Sequence, residues 1–364
     1  MSVQIKTNEL VTNLLNEWYK TIRSRHIANC NKLKIEIDGK INNIDQDQEL
    51  LLYYSLLNFR HQYLMDHLSI GKESFKDIES FPTPTDGLLV YYYHFFKAIH
   101  ATITGNYKLA QELYDIAENK LQAIPDPLEH AEFYFTLSTF SCHNQQYVLA
   151  LRQSSMAQVI FSKHEGYELN IGYCKNVSGL ACIHLKEYPL AEEYLITAMD
   201  IFKKYNEEHA KSSVRHNLGF MYASQNLSEL AIKQLSELIK EHPNNYKAIF
   251  IKAREHFKLK NTEQANILID KGLKICKELQ QEDFHHRLAI LKALNNNVSA
   301  EKLEKVVNNG MSYFENEQLY ENIDTYCDAL ATKFYEEDND SKASKYFYQS
   351  SQARKKAFEK GALK

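Results

Sequence analysis

Proline and glycine are both scarce in this chain of 364 residues, at 6 and 11. Sandwiches and barrels of many short strands need frequent turn residues, so the shortage favours a mostly helical fold. Long hydrophobic runs are missing too: nothing approaches the ~18–20 uninterrupted apolar residues of a membrane span. Excess basic charge is absent, with 43 Lys and Arg against 47 Asp and Glu, a net charge of −4. That balance argues against a binder of nucleic-acid backbones. The six cysteines, Cys30, Cys142, Cys174, Cys182, Cys276 and Cys327, form no C-x-x-C pair. The opening MSVQIKTNEL carries neither a basic n-region nor an apolar h-region. Scattered thiols behind such a start indicate small buried hydrophobes in a reducing compartment, and the cytoplasm is the expected location. No Gly-rich phosphate loop, G-x-S-x-G elbow or H-E-x-x-H pair occurs, and the 15 histidines are dispersed, so no metal site is expected.

What is present is a repeat. Apolar residues at 44% and charged residues at 25% describe a globular chain, too long for one ordinary core. The phrase YKLAQELYDIA (Ala110, Tyr114, Ala117) returns as YVLALRQSSMA (Ala150), YPLAEEYLITA (Ala191, Leu195) and SELAIKQLSEL (Ala231, Leu235), with weaker copies at Ala265 and Ala343. These alanines are spaced 40, 41, 40, 34 and then 78 residues apart, so a degenerate copy is expected from about Asp283 to Phe314. Twelve residues before three of them stands a small residue, Ala98, Gly179 or Gly219. The pattern resembles the tetratricopeptide repeat, two antiparallel helices per unit, which stack into a superhelix with a continuous core and a groove.

Residues 1–69 do not follow this rhythm. Val11, Leu14, Leu15, Trp18 and Ile22 form one helical stripe. A second helix is expected from Ala28 to Ile37, stopped by Gly39, and a third from about Gln46 to Leu68. The expected organisation is all-α: a three-helix bundle over 1–69, a linker over 70–87 with two prolines, and about seven repeats over 88–364.

The segment Asp45 to Leu64, DQDQELLLYYSLLNFRHQYL, is an amphipathic helix with an aromatic face and a polar start. Asp45 as N-cap and Gln48 three residues later form a plausible capping box. The block DQELLLYYSLLNFRH, with LLNEWYKTI (Leu14 to Ile22) and YYYHFFKA (Tyr91 to Ala98) before GNYKLA, resembles the Rap family of response-regulator aspartate phosphatases. The resemblance runs over essentially the whole chain. It implies that Gln48 is catalytic, orienting a water in line with the aspartyl phosphate of a receiver domain. A carboxamide can hold that water without adding a repelling negative charge, as water-orienting glutamines do in GTP hydrolysis. Asp45, Asp47 and Glu49 would contact the regulator. No cofactor of the chain's own is implied, because the receiver supplies a divalent metal such as Mg.

The resemblance also implies inhibition by a short Phr-type peptide lying extended in the repeat groove. Extended backbone exposes donors and acceptors that asparagine side chains can satisfy. Positions two and three residues before the small residue give Asn176, His216 and Asn217, with Asn217 the expected backbone clamp. Neighbouring candidates are Tyr173, Leu180, His184, Phe220, Lys247, Phe250 and Arg254. An asparagine there also suits an inter-repeat hydrogen bond, and the aromatic residues also suit the core. The family often has an acidic residue where His184 stands, so a ligand less dependent on arginine is expected.

The resemblance implies one of two functions: a peptide-regulated phosphatase of sporulation-phosphorelay type, or a non-enzymatic protein that sequesters a response regulator of competence through its DNA-binding domain, relieved by the peptide. A peptide-controlled transcription factor fits poorly, because the N-terminal segment has no compact basic recognition helix. Neither direct nucleic-acid binding nor membrane association is expected.

Overall fold

The computed structural model describes residues 3, 9–41, 47–85 and 87–361, and every regular element among them is helical. Helices α1 (Glu9–Arg23), α2 (Ile27–Ile41) and α3 (Gln48–Asp66) come first, and a short α4 (Lys76–Glu79) follows. Seven helix–turn–helix units then run without interruption: α5 (Gly87–Ile103) and α6 (Tyr107–Leu121), α7 (Pro127–His143) and α8 (Tyr147–Phe161), α9 (Glu168–His184) and α10 (Tyr188–Lys204), α11 (Glu208–Ser224) and α12 (Ser228–Glu241), α13 (Tyr246–Lys258) and α14 (Thr262–Glu278), α15 (Glu282–Asn295) and α16 (Ala300–Asn316), α17 (Tyr320–Glu336) and α18 (Asp340–Gly361). The degenerate copy is the pair α15 and α16. The chain divides into two compact units, Met1–Phe140 with Gln153–Cys174, and Ser141–Arg152 with Lys175–Lys364.

The turns explain how so many helices are joined with so little glycine. Lys186 (φ 62°) and Asn226 (φ 59°) adopt the left-handed conformation just past a helix end. The amide of Glu187 then donates to the Cys182 carbonyl at 2.9 Å, and that of Lys186 to the Ile183 carbonyl at 3.0 Å. This is a Schellman closure, and it satisfies carbonyls that the helix end would orphan. Gln145, Lys260, Gln280, Asn297, Gln318 and Asp338 repeat the conformation.

Within a unit the small residues set the helix spacing. A Cβ built on Gly179 would lie 2.7 Å from Leu195 Cγ, and one on Gly219 would lie 2.8 Å from Leu235 Cδ2. Leu235 packs in a core with Ala231, Leu238, Ala248 and Ile251, which joins one repeat to the next.

In the first unit α1, α2 and α3 enclose Leu15, Trp18, Ile22, Cys30, Ile37, Leu50 and Leu57, all buried. Asn16 ties the bundle together: its side chain exchanges hydrogen bonds with the Val3 backbone at 3.0 and 3.1 Å and accepts from Tyr53 at 3.0 Å. Three expectations differ from what is seen. Helix α2 continues through Gly39 to Ile41, because Ile37 and Ile41 are both buried and keep the last turns in place. Helix α3 begins at Gln48 and ends at Asp66. The segment after it is packed: Phe75 and Ile78 are buried, Phe75 meets Phe59 edge-on at 5.1 Å and stacks on His100 at 5.4 Å, and a His100 ring nitrogen lies 3.0 Å from the Gly71 carbonyl.

Candidate functional site

The start of α3 presents the first set of candidates. Asp47, in extended conformation, caps the helix, and its side chain accepts from the Leu50 amide at 3.1 Å. Gln48 is therefore the first helical residue and Glu49 the second, and both are exposed. Asp45 lies outside the described residues; the cap belongs to Asp47. Gln48 is exposed and makes no hydrogen bond among the described residues. The helix beneath it is firmly held. Leu50, Tyr53, Leu56, Leu57 and Phe59 are buried, and Tyr54 donates to Asp38 at 2.7 Å. The aromatic block is thus core, and its service to the site is rigidity.

A buried ionic seam lies in the same unit. Arg23, at the end of α1, reaches Glu129 and Asp126 at 2.9 Å each, and Tyr19 donates to Glu129 at 2.7 Å. Arg25 reaches Glu132 at 3.1 Å, and Arg60 of α3 reaches the same carboxylate at 2.7 Å. Asn170 donates to the Arg23 carbonyl at 3.0 Å. Arg25 takes a positive φ of 60° and lies 4.7 Å from the Phe135 ring and 5.1 Å from Tyr173. Tyr173 thereby contributes a ring to this seam.

The second unit gathers the other groove candidates on the first helices of its pairs. The Asn217 amide donates to the Asn176 side-chain oxygen at 2.9 Å, and both residues are buried. His184 stacks almost parallel on Tyr147 with ring centroids 4.2 Å apart, and Phe220 lies 5.0 Å away. Tyr147 donates to Glu321 at 2.7 Å, and His184 Nδ1 is 4.0 Å from the same carboxylate. Burial, aided by Arg287 and Arg254, pushes His184 down to about 3; burial with Lys247 nearby pushes His216 down to about 4. Both rings are neutral at pH 7. Lys247 faces the Phe284 ring at 6.0 Å, and burial pushes its ammonium down to about 8. Arg254 lies 5.9 Å from the Phe250 ring. Leu180 is half-buried on α9.

Residues 5–66 match the family model for "response regulator aspartate phosphatase H, N terminal". Over 364 aligned residues the chain is 28% identical to response regulator aspartate phosphatase I of Bacillus subtilis (strain 168), covering 96% of this chain and 91% of that protein. It is 28% identical to regulatory protein RapK of the same organism over 341 residues, 90% of this chain and 91% of that one. Among solved structures, a Rap protein complexed with Competence and Sporulation Factor shares the fold, with a TM-score of 0.78 at 24% identity over 96% of this chain and 99% of that one. The chain is thus similar to Rap proteins over nearly its whole length.

Several residues of these sites were not singled out in the sequence. Arg25, Arg60, Glu129 and Glu132 are ordinary surface-type residues until folding buries them together. Their only sequence signal is position, charges where helical periodicity calls for apolar residues. Tyr147, Arg287 and Glu321 join His184 in the same way, from helices far apart in the chain. Among the described residues no group of three His, Cys, Asp or Glu side chains is placed to hold a metal ion, and no helix is long and apolar enough to cross a membrane.

Proposed function

We propose that this protein dephosphorylates the aspartyl phosphate of a response regulator, and that a short Phr-type peptide bound on the repeats inhibits it. The observation that carries the enzymatic reading is Gln48: an exposed, uncommitted carboxamide at the first turn of a helix whose far side is locked into the bundle. It lies in the segment matched by the N-terminal family model.

In this reading Gln48 accepts a hydrogen bond from a water and donates one to a phosphoryl oxygen. The water is thereby held in line with the scissile bond. The contribution is positioning, and a carboxamide adds no charge to repel the phosphoryl group. Asp45, Asp47 and Glu49 contact the receiver beside it, and the divalent metal, such as Mg, is the receiver's own. Residues 1–69 meet the regulator, and the repeats over 88–364 hold the peptide, with Asn217 and Asn176 as backbone clamps and His184, His216, Phe220, Lys247 and Arg254 around them. Each asparagine keeps further hydrogen-bonding capacity beyond the bond they share, which suits an extended backbone. If peptide and regulator oppose each other's binding, linkage makes that opposition reciprocal. The protein acts in the cytoplasm, where response regulators work.

The name of its relative RapK, a regulatory protein, supports a second reading in which the protein sequesters its regulator without turnover. One measurement separates the two: phosphate release from a phosphorylated receiver with the protein substoichiometric. Many turnovers per molecule are expected for the phosphatase. Stoichiometric complex formation without release selects sequestration.

A further inference from the structure

We infer that the ligand face of the second unit selects a peptide bearing a carboxylate, from an Asp or Glu side chain or a free C-terminus, which docks between Lys247 and Arg254 beside His184. The inference rests on the peptide-binding reading above.

Three cations share this face. Lys247 and Arg254 lie on α13, and Arg287 lies on α15. Lys247 and Arg287 flank one ring, at 6.0 and 4.9 Å from Phe284. The anions nearby are already engaged. Both oxygens of Asp283 are held by Arg287, at 2.5 and 2.8 Å. Glu255, fully buried, takes Ser228 at 2.7 Å and Lys258 at 3.0 Å, with Arg254 at 3.4 Å. Glu321 accepts from Tyr147. Lys247 forms no ion pair among the described residues; the carboxylate that acts on it is Asp283, both of whose oxygens are held by Arg287.

The two histidines add no charge, since both are neutral at pH 7. Their depressed basicity reflects in part the same cations, Arg287 and Arg254 at His184 and Lys247 at His216. Tyr147, Phe220, Phe250 and Phe284 supply aromatic surroundings that lower the local dielectric and strengthen every charge interaction there. A carboxylate brought to this place gains an unpaired ammonium and a half-exposed guanidinium. A lysine or arginine side chain meets the same ammonium, while the carboxylates nearby are already engaged.

The test uses the full-length protein and mixtures of synthetic pentapeptides in which one position at a time is fixed as Asp, Arg or Ala, each made with a free or an amidated C-terminus. Affinities are compared by competition. The expected result is a preference of about tenfold for Asp over Arg at one position, or for the free over the amidated terminus, and these two arms identify the source of the carboxylate. Lys247→Met and Arg254→Gln should each shrink that preference to less than about threefold, whereas Asn217→Ala weakens all peptides alike. Rising salt with the wild-type protein should also reduce the preference, and this needs no variant to fold. Equal or better binding of the Arg peptides, with Asn217→Ala still weakening them, overturns the inference and leaves the peptide reading standing. Binding of no peptide at all overturns both.

Discussion

Arg60 of α3 and Glu132 of α7 meet at 2.7 Å with both side chains under 5% exposed. Arg25, from the turn between α1 and α2, takes the other carboxylate oxygen at 3.1 Å. One acidic group thus holds two parts of the N-terminal bundle against the first unit's repeat helices. Removing one partner of a buried pair leaves an uncompensated charge, which costs more than the pair contributes. Glu132→Ala is expected to destabilise the protein by about 3–5 kcal/mol in urea unfolding. Glu132→Gln keeps part of the hydrogen bonding and should cost less than Glu132→Ala. Equal losses for the two would show that shape, not charge, holds the seam.

Gln48 is exposed and bonded to nothing described, so changing it should leave stability within about 0.5 kcal/mol while affecting turnover. Gln48→Ala is expected to slow phosphate release from a phosphorylated receiver by about 100-fold, the scale at which lost positioning acts. Gln46→Ala should retain activity. Wild-type turnover by both Gln48→Ala and Gln48→Asn would remove the glutamine from the mechanism.

Gly219 sits against Leu235, and a Cβ there would come within 2.8 Å of it. An alanine gains helix propensity of about 1 kcal/mol, but the Leu235 side chain it would meet is fully buried. Overpacking of this kind costs about 1–3 kcal/mol. Gly219→Ala is therefore expected to lower stability, and the double variant with Leu235→Ala to lose less than the two single variants summed. Simple additivity would show that the helices move apart freely.

His184 and His216 are held neutral at about 3 and 4, whereas in the unfolded chain each titrates near 6.5. Between these values the unfolded state binds more protons, so stability falls as pH drops below about 6.5. Each pH unit in that window costs up to about 1.4 kcal/mol per histidine. Glu321 works in the opposite sense, because burial raises its carboxyl and acid relieves its cost. Urea midpoints measured from pH 7 to pH 5 should decline, and His216→Asn should flatten the slope. An unchanged slope in that variant would place the acid sensitivity elsewhere.

Local pattern carried most of the fold. The recurring alanine phrase and the small residue twelve positions before it located the helix pairs, because an amphipathic helix records its buried face every three to four residues. Gly179 and Gly219 were legible for the same reason: close helix approach demands the absence of a side chain at one position. The turns were less legible. Glycine rarely marks them, and Lys186, Gln145 and Lys260 occupy left-handed positions that their identities do not announce. The segment after α3 read as an open linker since two prolines and weak periodicity dominate it, yet Phe75 and Ile78 find partners in Phe59 and His100.

At the sites the division is sharper. Repeat spacing and side-chain chemistry pointed to Asn176 and Asn217 for a peptide backbone, whereas Gln48 read by itself as part of a capping box and was assigned a water only through the resemblance to the Rap family. Only the folded structure decided that Asp47 takes the cap and frees Gln48, that the two asparagines bond to each other, and that Arg254 and Arg287 converge on His184. Those outcomes depend on residues tens to more than a hundred positions apart, or on which of two neighbouring acids wins one amide. Helical periodicity is a local property of the chain, whereas the pairing of buried charges is settled by which surfaces meet when the helices stack.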